Sequence, residues 1–208
     1  MNETVDIEKQ EAMITKALDQ SMDYTTYRDY VARLAREGAS SGPAQTEALI
    51  NYTQLNDRRM NRWDKTLKLS QEQLDSIAGS DRKLTFLVLT ESWCGDASPS
   101  LPVMNKIVEA NVNFDLKIVL RDEHEDLMDR FLTNGARSIP KLLVLEGEDG
   151  TVVDTWGPRP SKATAMVKAY KKAHGALSPE FKQELQVWYN KDKGKNIAED
   201  LLGLLALE

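Results

Sequence analysis

Two hydrophobic periods divide the chain. Up to about residue 80 the apolar positions recur at helical spacing: Ile14, Leu18 and Met22, then Tyr27, Val31 and Leu34. Past a break at Ser40-Ser41-Gly42-Pro43, a longer stripe runs through Leu49, Tyr52, Met60, Trp63 and Leu67, and such stripes mark the buried faces of helices. Ser70, with Gln73 three residues on, has the form of a capping box opening a short helix that carries Leu74 and Ile77 and ends at Gly79-Ser80. From Leu84 the period changes. Residues 84–90 are a short, nearly continuous apolar run, the pattern of a strand buried on both faces.

The rest of this unit alternates. A loop over 92–97 leads to a helix over 98–110 that buries Leu101, Met104, Ile107 and Val108. A strand at 114–120, a short helix at 125–132 and a strand at 141–145 follow, then a turn at 146–150, a strand at 151–156 and a helix at 161–173. The order β-α-β-α-β-β-α places two parallel strands around a helical crossover and ends in a hairpin, which is an α/β arrangement. Beyond Gly175, Ser178-Pro179-Glu180 is an N-cap followed by proline at the first helical position, with Phe181, Leu185 and Trp188 as its apolar stripe. A last helical segment, residues 197–205, is free to pack on the domain or against a second copy of the chain.

With 208 residues, 41% of them hydrophobic, the chain is long enough to bury a core without covalent staples. A formal charge of -6 argues against nucleic acid or an anionic membrane as the main partner. One cysteine, Cys94, excludes an internal disulfide and a cysteine-based zinc site, and His124 and His174 have no metal-ligand spacing, so no metal is expected. The first residues lack the basic start and apolar stretch of a signal peptide, and no run of about 18 apolar residues occurs, so a soluble, cytoplasmic protein is expected.

Chemistry concentrates at Glu91-Ser92-Trp93-Cys94-Gly95-Asp96-Ala97, between the buried strand and the next helix. Backbone amides at a helix start have no intrahelical partners, and their field favours a thiolate over a thiol, so a nucleophilic cysteine is expected here. Trp93-Cys94-Gly95 after a buried strand resembles the active-site opening of the thioredoxin family. Pro102 stands where that family kinks its active-site helix. Gly135-Ala136-Arg137-Ser138-Ile139-Pro140 looks like the segment bearing its cis-proline, and Gly157 follows the last strand as in the family.

The resemblance spans 84 to about 175 and implies a thioredoxin-like four-stranded mixed sheet with flanking helices. The strands beginning at Phe114, Leu84, Lys141 and Thr151 are expected side by side in that order. On this reading, residues 1–80 are a helical extension, 81–175 the thioredoxin-like domain and 176–208 C-terminal helices. The early helices are expected to cover the sheet edge where full-length thioredoxins carry an additional strand.

The departures limit the chemistry. The family's second cysteine falls at Ala97 and its buried acid at Val88, so the dithiol cycle is excluded. What the resemblance leaves is monothiol exchange. Cys94 attacks a protein or small-molecule disulfide, an external thiol completes the exchange, and no cofactor is needed beyond a low-molecular-weight thiol as co-substrate. Gly95 and Ala97 would present amides, and the peptide before Pro140 would position substrate together with Ile139. Arg137 would meet a substrate carboxylate or raise the thiolate fraction, with a solvated loop charge as its plainer role. Asp96 is either part of this substrate surface or a helix-start acid, and Trp93 either a lid or a hydrophobic cover. Arg58 and Arg62, one helical turn apart, form either an anion pocket beside the cysteine loop or a charged helix edge. The alternative to the enzyme is a redox-inactive adaptor holding an extended peptide in the same groove.

Overall fold

The computed structural model describes residues 2–147 and 150–206, so Glu148 and Asp149 of the expected turn lie outside the described residues. Four helices come first: α1 (Asn2–Asp19), α2 (Tyr24–Glu37), α3 (Glu47–Thr66) and α4 (Gln71–Ala78). Each start after α1 is capped by a side-chain oxygen, from Asp23, Thr46 and Ser70 in turn, and the Ser70–Gln73 capping box is complete in both directions. β1 (Leu84–Thr90), α5 (Ala97–Glu109), β2 (Phe114–Leu120), α6 (Glu125–Arg130), β3 (Lys141–Glu146), β4 (Thr151–Trp156) and α7 (Ser161–His174) follow. α8 (Pro179–Asp192) and α9 (Lys195–Leu204) end the described chain.

The sheet order is β2-β1-β3-β4, with β1 parallel to β2 and antiparallel to β3, and β3 antiparallel to β4. This is the expected thioredoxin-like order. Every β1 residue except Thr85 is buried, and Val88 is fully enclosed between its register partners Ile118 and Leu142. A valine there contributes only packing. One hydrophobic cluster reaches from Ile14 in α1 to Leu205 after α9, so helices before and after the sheet share its core.

The β2 edge is blunted as expected, by a single bridge. Met22, between α1 and α2, exchanges both backbone hydrogen bonds with Ile118 at 2.8 Å each. One position of the α3 stripe is placed differently from expectation. Tyr52 is exposed, and the inward face is Thr53, Asn56, Met60 and Trp63, because this helix packs partly on a polar loop rather than wholly on apolar core. No helix among the described residues is long and apolar enough to cross a membrane.

The approach of β4 to the Pro140 segment depends on one glycine. Gly157 has φ +118°, and a Cβ built there would stand 2.1 Å from the Pro140 carbonyl oxygen. That neighbour is backbone and has no rotamer by which to give way. Gly157→Ala is therefore expected to destabilise the protein by about 2–5 kcal/mol, read as a lower urea midpoint. Gly135→Ala, at φ +75° with nothing within 4 Å, should cost only about 1 kcal/mol.

Candidate functional site

The loop leaving β1 turns where the Cys94 amide donates to the Glu91 carbonyl at 3.0 Å, which sets the cysteine just ahead of α5. The Cys94 Sγ donates to the Ile139 carbonyl at 3.3 Å, and the Ile139–Pro140 peptide is cis. From the helix side the amides of Ala97 and Asp96 lie near enough to the same sulfur to favour its charged form. Sequence reasoning thus brings together residues that meet in space: Cys94, Asp96, Ala97, Ile139 and Pro140.

The protonation state differs from expectation. Cys94 is only 6% exposed, and burial pushes its thiol up to about 12, with the Asp96 carboxylate adding to the rise. The two amides and the Arg159 guanidinium act in the opposite direction and are outweighed. The helix-start field expected to yield a thiolate is present, and desolvation overrides it.

Asp96 is not a capping acid: it makes no side-chain cap bond. It is 8% exposed, ion-paired to Arg159 Nη2 at 2.6 Å, and accepts from the Tyr189 hydroxyl at 3.1 Å. Burial raises its pKa, opposed by Arg159, Tyr189 and Arg59. Arg137 binds elsewhere: its guanidinium holds Asp129 at 2.6 and 2.7 Å and Glu125 at 2.7 Å. The cation acting on the sulfur is Arg159, just past the hairpin. Trp93 is half-buried, with the Arg121 guanidinium 5.1 Å from its ring centroid, a cation–π contact.

The arginine pair in α3 does not form an anion pocket here. Arg58 is exposed and Arg62 bonds to Asn190 of α8. Between them, Arg59 reaches the loop, where its Nη1 lies 3.9 Å from a Cβ built on Gly95 and donates to Asn56 at 3.1 Å. From the C-terminal side, Gln186 of α8 donates to the Gly95 carbonyl at 3.3 Å.

Sequence reasoning passed over a second buried group behind the cysteine. Glu91 is fully buried, accepting from the Ser41 hydroxyl and, at 3.0 Å, from the Asp122 amide. The Ser41 hydroxyl in turn accepts from the Ser92 amide at 2.8 Å, and the Ser41 amide donates back to the Ser92 hydroxyl at 2.9 Å. Thr53 bonds to that hydroxyl at 2.8 Å, and Asn56 donates to the Ser92 carbonyl at 3.0 Å. The Ser40-Ser41-Gly42 stretch looks like a simple breaker in sequence. The one available signal was an acid, Glu91, directly after an uninterrupted apolar strand.

A central strand leading through Trp-Cys-Gly into a helix, with the cysteine sulfur on the carbonyl before a cis-proline, defines a thioredoxin-like protein. The chain belongs to the thioredoxin family, whose model, described as Thioredoxin, matches residues 42–171. Among solved structures it is similar to a protein of unknown function from Pseudomonas aeruginosa, at 19% identity and TM-score 0.61 over 92% of this chain and 96% of that one. It is also similar to an HIV epitope-scaffold, at 18% identity and TM-score 0.59 over the same shares. At these identities the likeness speaks for the fold. None of the curated proteins is significantly similar to the chain.

Burial raises the Glu91 pKa, and the Ser41 hydrogen bond opposes that rise. A carboxyl raised in the fold contributes stability that is present below its ordinary value of 4.5 and lost as pH rises through the native value. Ser41→Ala removes a donor to the charged form, so its destabilisation should grow with pH. Urea unfolding should find about 1–2 kcal/mol of loss at pH 4, where the Ser92 amide loses its acceptor, and about 2 kcal/mol more at pH 7, where Glu91 also loses its donor.

Proposed function

We propose that this protein performs thiol–disulfide exchange through the single sulfur of Cys94, with an external thiol completing each cycle. The observation that carries the reading is the seat of the sulfur, between the Asp96 and Ala97 amides and the Ile139 carbonyl, 3.3 Å away. Amides aimed at a sulfur stabilise negative charge on it, whether on an attacking thiolate or on one leaving a mixed disulfide. With one cysteine in the chain, the partner thiol has to come from outside, which accords with a reducing, cytoplasmic setting.

The chemistry balances as two exchanges. Cys94 gives up its proton, its sulfur attacks one sulfur of a disulfide, the new S–S bond forms and the old one breaks, and the departing thiolate takes up a proton. An external thiolate then attacks the mixed disulfide, releases the Cys94 sulfur and leaves as the new disulfide. With a pKa of about 12, only about one resting thiol in 10⁵ is ionised at pH 7. Exchange therefore starts when the sulfur is uncovered and the chief cause of the raised pKa is lifted. The same burial favours the second reading, a redox-silent member of the family that only binds at the Pro140 segment.

Incubation with a low-molecular-weight disulfide such as cystine, followed by mass spectrometry, separates the two. The first reading expects a mixed disulfide on Cys94 that added thiol reverses, slow at pH 7 and still accelerating at pH 10. A native protein that stays unmodified under conditions where the denatured chain reacts fully would leave the binding reading. Since the Asp96 charge adds to the raised thiol pKa, Asp96→Asn should speed alkylation of Cys94 by about five- to tenfold. Stopped alkylation assays across pH read this directly.

A further inference from the structure

A cleft of about 540 Å³ opens beside the Pro140 segment, lined by residues 132–134, Lys141, Thr155, Trp156, Gly157, Arg159, Ser161 and Asp200. Lys141 is 7% exposed, and its ammonium makes one long hydrogen bond, 3.4 Å to the Thr155 hydroxyl. No carboxylate among the described residues forms an ion pair with it. Buried ammonium groups are ordinarily paired, because desolvating an uncompensated charge costs several kcal/mol. Two further donors lie just beneath the same wall, closed off from solvent and without partners among the described residues: Arg159 Nε, whose Nη2 alone serves Asp96, and the Thr133 hydroxyl. The carboxylate of the wall is already engaged. Asp200 accepts from the Ser161 amide at 2.5 Å and hydroxyl at 2.7 Å, and from Asn196 Nδ2 at 3.2 Å.

We propose that this cleft binds a small molecule through a carboxylate or phosphate group, held by the Lys141 ammonium with Arg159 and Thr133 beside it, its apolar part lying on Leu132 and Trp156. The cleft has the volume usual for metabolite sites, and among its described lining residues Lys141 is the cation with no ion-paired carboxylate, which favours an anionic group beside it. Burial also holds the Lys141 pKa below its ordinary value, and a bound anion would restore it. Binding in this cleft needs no chemistry at Cys94.

Amide NMR of the full chain, titrated with inorganic phosphate and separately with succinate at constant ionic strength, tests it. Saturable shifts centred on Thr133, Lys141, Thr155 and Trp156 are expected, and the tighter of the two probes tells a phosphoryl from a carboxylate ligand. Lys141→Met, which replaces a buried charge by an apolar chain of similar length, should weaken binding at least tenfold, and Lys141→Arg should retain part of it. Thr133→Val, a smaller change, should weaken it about threefold and serves if the lysine variant does not fold. Cys94→Ser should bind as well as the natural protein, whatever the outcome of the exchange assay. Shifts no larger than those from chloride at the same ionic strength, or equal binding by Lys141→Met and Thr133→Val, would overturn the proposal.

Discussion

The arrangement of this molecule depends on one requirement: a polar loop carried into the interior must find a hydrogen-bond partner for every group it loses to water. Residues 91–96 leave the most deeply buried strand of the sheet and stay buried or half-buried throughout. Their side-chain partners arrive from the rest of the chain. Ser41, Thr53 and Asn56 serve Glu91 and Ser92 from the N-terminal side. Gln186, Tyr189 and Arg159 serve Gly95 and Asp96 from the other. The helices that flank the sheet on both sides of the sequence thus complete the site loop in addition to covering hydrophobic surface. Buried donors and acceptors left unpaired would cost about 1–3 kcal/mol each.

The same enclosure decides the state of the sulfur. A helix-terminus field is worth about 0.3–1 kcal/mol at the surface and about 2 in buried geometries. Raising a thiol from its ordinary 9.0 to about 12 corresponds to roughly 4 kcal/mol of preference for the neutral form. Desolvation is the chief cause of that preference, and the neighbouring Asp96 charge reinforces it. A loss of enclosure is therefore worth more to the reactivity of Cys94 than any further donor placed beside it.

Much of the fold was legible because it rests on local signals. The nearly continuous apolar run Leu84–Thr90 has the pattern of a buried central strand, and the Ser70–Gln73 pair marked a helix start whose capping box the structure shows in both directions. The sheet order and the position of Pro140 followed from resemblance to the thioredoxin family rather than from spacing. The partners of the site were not legible, because they lie far away in sequence. Tyr189 meets Asp96 across 93 positions and Ser41 meets Glu91 across 50. Tyr52 and Arg59 show the limit of periodicity: the stripe located α3 correctly, yet its inward face is partly polar because what it covers is a polar loop. Arg137 was the natural cation to name beside the cysteine. Its nearest acids, Asp129 and Glu125, lie on the preceding helix and hold it there.

Arg159 ties the two halves of the site together, since its Nη2 holds the Asp96 carboxylate while the residue also lines the cleft beside Lys141. Asp96 raises the thiol pKa of Cys94 and Arg159 lowers it, so the sulfur responds to how fully this ion pair is balanced. An anion in the cleft adds negative charge on the Arg159 side and shares its attraction, which shifts the balance further toward the neutral thiol. By the reciprocity of linked equilibria, a thiolate at Cys94 must weaken the hold on that anion by the same factor. A ligand that brings an acidic group to the cleft therefore works against ionisation of the sulfur, and a neutral ligand or an empty cleft leaves the sulfur the easier of the two to ionise.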